Sequence, residues 1–107
     1  MFWNSKKEEK YSLFTPTTSI ETDLVKAFGQ LNTAENKIVD CSKVSFTDHL
    51  KTTVSKVYNS HLEEQKSFIV VIENKEDIEE LEELFVVVPT ISEAIDYIYM
   101  EELERNI

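Results

Sequence analysis

The sequence predicts an α/β domain in which a small four-stranded, mainly parallel sheet is packed with four helices. Three observations carry that expectation. Two apolar runs, residues 68–72 and 84–88, have no polar alternation, as in strands covered on both faces. Four other segments repeat their apolar residues at spacings of three and four, the helical period. The two kinds of segment alternate as β-α-β-α-β-α-β-α, an order that right-handed crossovers turn into a parallel sheet.

Residues 11–14 are the first expected strand. The first helix is expected over residues 19–33, with Ile20, Leu24, Ala27, Phe28 and Leu31 on one stripe. Thr18 and Glu21 before and within it have the capping-box spacing, with Thr18 as N-cap. A second strand follows at residues 37–41. The second helix is expected over residues 49–64, with Leu50, Val54, Val57, Tyr58, His61 and Leu62 inward and Thr47 or Asp48 as cap. After the strand at 68–72, Asn74 caps a short helix over residues 75–84, whose Ile78, Leu81 and Leu84 point inward. Residues 85–88 form the last expected strand. Thr90-Ile91-Ser92-Glu93 is a second capping box, and Ile91, Ala94, Ile95, Ile98 and Leu103 follow on one helical face. Residues 1–10 are expected to be a frayed N-terminal extension and residues 11–107 a single domain.

A chain of 107 residues fits one domain, and its 41% apolar content is enough for a core. Gly29 is the sole glycine, which excludes glycine-rich phosphate loops of the dinucleotide-fingerprint and Walker types. The longest apolar runs are five residues, far short of the roughly 18–20 that span a bilayer. No secretory signal is visible at the start, and a single cysteine forms no internal disulfide. A cytoplasmic protein is expected. Residues 54–107 carry fourteen acids against four bases, so the whole net charge of −10 lies in that half. Such a surface repels phosphate backbones and anionic lipid, so neither nucleic acid nor membrane is an expected partner.

Little in the sequence points to catalysis. Cys41 at the end of a strand reads as a buried, inert thiol, since a thiolate nucleophile would need a base and the chain has only His49 and His61. Those two histidines sit twelve positions apart, about 120° around a helix, and cannot form a local metal pair. His61 shares the apolar face of its helix and reads as a packed, hydrogen-bonded residue. The acidic runs lack calcium-loop spacing. A non-catalytic protein without metal or cofactor is expected. Phe2, Trp3, Tyr97, Tyr99 and Met100 read as core-edge residues or as a self-association patch that would make a homodimer.

Residues 44–51, Val44-Ser45-Phe46-Thr47-Asp48-His49-Leu50-Lys51, join the second strand to the second helix. Unsatisfied amides there favour anionic groups, and an Asp can cap the helix or meet a partner. From this point the order of elements and three stretches resemble the STAS domain, the family of bacterial anti-sigma factor antagonists. The stretch from Phe85 through Pro89-Thr90 to Ile98 resembles the last strand, turn and helix of that family, and Met100–Arg105 resembles the ending of one bacterial subset. Lys37 to Asp48 resembles the strand and turn that lead into its Asp-Ser-Ser/Thr-Gly motif. The resemblance covers residues 37–107.

Asp48 matches the family Asp, but His49 stands at the phosphoserine position, Leu50 at the next and Lys51 at the glycine. The seryl phospho-switch is therefore absent. The resemblance implies a protein-interaction module that regulates an anti-sigma-factor kinase or related signalling protein. Docking would run through Thr47, Asp48, His49, Leu50, Lys51 and Thr53, with Asp48 capping the helix and setting the loop. A small-ligand binder of the same fold and a structural homodimer are the alternatives.

Overall fold

The apolar run at 68–72 lies at the centre of the molecule. In the computed structural model, which describes residues 2–106, its first four residues form a strand buried on both faces. The elements are β1 (Trp3–Lys7), β2 (Ser12–Pro16), α1 (Glu21–Gly29), β3 (Lys37–Asp40), α2 (Asp48–Glu63), β4 (Phe68–Val71), α3 (Lys75–Leu81), β5 (Val87–Val88) and α4 (Ile91–Arg105). They form one sheet in the order β1-β2-β3-β4-β5. The last four strands are parallel, while β1 runs antiparallel to β2 with Trp3 opposite Pro16 and Lys7 opposite Ser12.

The expected α/β class and four helices are present, but the sheet has five strands rather than four and is mixed. The added strand is β1, which takes the place of the expected frayed extension. Trp3 anchors it. The indole Nε1–H donates to the Ala27 carbonyl at 3.2 Å, and the ring meets Phe14 and Phe28 edge-on at 5.7 and 5.2 Å. Trp3 therefore packs over α1 within the chain. Aromatic edge contacts of this kind add to ordinary apolar burial and fix a ring's position.

The two faces of the sheet are covered unequally. One face carries a core of Leu24, Phe28, Val39, Cys41, Leu50, Val54, Phe68, Val70, Ile72, Leu81 and Phe85, drawn from the sheet, α1, α2, α3 and their connections. The other holds only Ile38, Ile69, Val71, Ala94 and Ile98, beneath α4. Leu103, expected inward on α4, is 67% exposed, and Tyr97, Tyr99 and Met100 are exposed near it. Alternation along β3 explains the division, since Lys37, Val39 and Cys41 face the three-helix side while Ile38 faces α4.

Local capping explains the helix starts. The Thr90 hydroxyl accepts from the Glu93 amide at 3.1 Å, the first half of the capping box, and donates to the Glu93 carboxylate at 3.2 Å. Asn74 accepts from the Glu76 and Asp77 amides. At α1 the expected box does not form. Ile20 is the N-cap without a side-chain bond, and the Thr18 hydroxyl instead accepts from the Ile20 amide two residues on. That local turn competes with the cap, which is why α1 begins at Glu21.

Candidate docking site at the start of helix α2

The β3–α2 junction is shaped by short hydrogen bonds. Asp40 accepts from the Ser42 amide at 3.1 Å, and the Val44 amide returns to the Cys41 carbonyl at 3.0 Å. Phe46 then tilts against Phe85 at 6.1 Å and fixes the chain just before the helix. Thr47 is the N-cap, with extended backbone and a hydroxyl that accepts from the Leu50 amide at 3.2 Å. Asp48 is therefore the first helical residue and not the cap. Its carboxylate lies in the first turn, where it faces the positive end of the helix, and it is fully exposed.

The six residues expected to meet a partner have three different fates. Leu50 is fully buried in the three-helix core and offers nothing to a partner. Its place on the inward stripe of α2 already pointed there. Thr47 is committed to its cap, and the hydroxyl of Thr53 donates to the His49 carbonyl at 3.1 Å, as that of Thr52 does to Asp48. Asp48, His49 and Lys51 remain as surface groups. The His49 Nδ1 lies 3.3 Å from the Glu21 carboxylate of α1, both side chains being well exposed.

Lys51 is the most constrained of the three. It contacts the Glu80 carboxylate of α3 and lies 3.6 Å from Asp48. The hydrogen bond to Glu80 raises its pKa above the ordinary lysine value, with the nearby Asp48 charge acting in the same direction. Between α2 and α3 the surface dips into a groove of about 360 Å³ lined by Asp48, Lys51, Thr52, Ser55, Lys56 and Leu84. Leu84, expected inward, is 42% exposed and forms the apolar part of this groove.

The groove thus sets a partly exposed leucine beside charged and hydroxyl side chains. Among the described residues no group of three or more His, Cys, Asp or Glu side chains could hold a metal ion, and no helix is long and apolar enough to cross a membrane. Cys41 is buried, and burial pushes its thiol pKa up, so the sulfur stays protonated.

The far end of α2 holds a second constellation, half of which the sequence reading missed. His61 is fully buried and packs on Phe68 with ring centres 4.8 Å apart. Its Nδ1 lies 2.7 Å from the Val57 carbonyl and its Nε2 lies 3.0 Å from the Lys37 ammonium. A carbonyl can only accept, so the assigned tautomer carries its hydrogen on Nδ1, and Nε2 accepts from Lys37. Lys37 is itself fully buried and also donates to the carbonyls of Asn32 and Glu35. The alternation Lys37, Val39, Cys41 was the signal that could have found it.

No family model and no curated protein matches the chain. Among solved structures, the NMR structure of the protein TM1081 is similar, with a TM-score of 0.67 and 17% identity. The match covers 92% of this chain and 89% of that one. At that identity the likeness concerns the fold alone.

Proposed function

We propose that the chain is a non-catalytic STAS-like interaction module that regulates a cytoplasmic signalling partner. It would act in the manner of bacterial anti-sigma factor antagonists, without a seryl phospho-switch. The observation that supports this most is the β3–α2 junction. There Asp48 and His49 stand exposed on a turn whose base, Thr47 and Leu50, is fixed by a cap and by the core. A protein-binding turn needs that combination, because a preorganised backbone reduces the entropy lost on docking.

In this reading Asp48, His49 and Lys51 supply the polar and charged contacts, and Leu84 in the α2–α3 groove supplies the apolar one. The partner is an anti-sigma-factor kinase or a related signalling protein. With His49 at the phosphoserine place, binding does not respond to phosphorylation there and is set by the abundance of the partner.

The test is affinity capture from native lysate with tagged wild type beside an Asp48→Lys, His49→Glu variant. Both positions are exposed, so the variant is expected to keep the wild-type circular dichroism. The expected result is a kinase-like or anti-sigma protein, identified by mass spectrometry, held by wild type and lost from the variant. Identical captures, or none, would overturn the reading.

A further inference from the structure

Lys37 stands apart from every other cation in the protein. It is fully buried, yet it makes no ion pair among the described residues. Its acceptors are all neutral: the Asn32 and Glu35 carbonyls and His61 Nε2. The nearest acid in sequence, Glu35, gives its carboxylate to Lys7 at 3.2 Å, and its charge reaches Lys37 without a direct ion pair. A buried ammonium whose direct acceptors are all neutral has no anion in contact with it, which is costly in a low-dielectric interior. Burial accordingly pushes the Lys37 ammonium down to about 8.

Beside it lies a cavity of about 460 Å³ at the β1–β2 hairpin. Trp3, Phe14 and Leu31 are among its apolar lining residues, and Gln30, Asn32 and Lys37 among its polar ones. The volume falls within the range that small-molecule sites occupy, and so does the lining of mostly apolar surface with few polar groups.

We propose that this cavity binds an apolar carboxylate, whose hydrocarbon body lies against Trp3, Phe14 and Leu31 and whose anionic end becomes the counter-ion of Lys37. The carboxylate enters from the cavity and takes the place that the Asn32 carbonyl now holds on the ammonium. His61 keeps its bond and orients the lysine from the opposite side. This site is separate from the docking turn at the start of α2, and its occupancy can be measured without any protein partner.

Trp3 is the sole tryptophan and lines the cavity, so its fluorescence reports on it directly. The experiment titrates the full chain with octanoate and, separately, with octan-1-ol at pH 7. The expected result is a saturable change with octanoate and binding of the alcohol weaker by about tenfold or more, the size of a charge-assisted hydrogen bond. Lys37→Met should abolish that difference between the two probes. Leu31→Phe fills the cavity without removing the lysine, and should weaken octanoate by a similar factor. It keeps the test decisive if the lysine variant does not fold. No saturable change, equal affinity for acid and alcohol, or unchanged octanoate binding in Leu31→Phe would each overturn the proposal.

Discussion

Helix α2 treats its two ends in opposite ways. At its N-terminus Asp48, His49 and Lys51 present polar and charged groups on the surface, each within reach of a carboxylate or an ammonium. At its C-terminal end the charge is inside, where the fully buried Lys37 and His61 meet at 3.0 Å. Exposed pairs contribute little to stability and can be exchanged for a partner's groups. Buried polar pairs are expensive to break and hold the fold to one arrangement. The same sixteen-residue helix thus presents a replaceable surface at one end and a fixed polar bond at the other.

The largest expected effect breaks the first half of that contrast by intruding on its base. Leu50→Glu places a carboxylate in the core beneath the docking turn and should lower stability by about 3–5 kcal/mol in urea unfolding. A surface position would show almost none of that loss. Next comes the buried bond. His61→Leu leaves one Lys37 donor without an acceptor and should cost about 1–3 kcal/mol. Adding Lys37→Met to it should recover much of the loss, because the stranded charge is then gone. A double variant no better than the single one would show that packing against Phe68, and not the polar bond, is what His61 supplies.

The pH dependence sharpens the comparison further. The Lys37 pKa is lowered on folding, so the unfolded chain binds that proton more tightly. The burial cost is therefore full below pH 8 and fades as pH rises from about 8 to 10.5. Relative to wild type, Lys37→Met should fare best near pH 7 and lose ground as pH rises to 10. Titrating groups that do not interact with Lys37 are common to both proteins and cancel. His61 is shifted down by burial, so its contribution is present above 6.5 and is lost as pH falls toward its folded value. Wild type should lose stability between pH 7 and 5, and His61→Leu should lose less.

The smallest expected effect is at the exposed end. Asp48→Lys removes a favourable first-turn charge and should cost less than about 1 kcal/mol. Lys51→Gln should weaken the α2–α3 contact only slightly, and the difference from wild type should fade in high salt. Thermal melts at two ionic strengths measure both. A large loss from either would place these residues among the structural ones and remove the contrast between the two ends.

Much of the fold was legible because α2, α3 and α4 carry regular apolar spacing and begin with Thr47, Asn74 and Thr90, which do cap them. The strand at 68–71 was legible because β-branched and aromatic residues follow one another without a break. β1 was not, since Trp-Asn-Ser-Lys-Lys offers one large apolar residue and forms a strand through its backbone pairing to β2. At the β3–α2 turn, two adjacent capping residues left the helix start undecided until the Thr47 hydroxyl was located. Lys37 was hidden by its type, because lysines are so rarely buried that a strand beginning with one reads as an edge facing water.

The most direct test of the central claim is photo-crosslinking in living cells from a benzoyl-phenylalanine at position 48, compared with one at position 92 on α4. Both sites are exposed in the isolated protein. The expected result is a discrete adduct with a signalling protein from position 48 and none from position 92. An adduct from position 92 alone, or from neither position, would contradict the assignment of the docking surface to the start of α2.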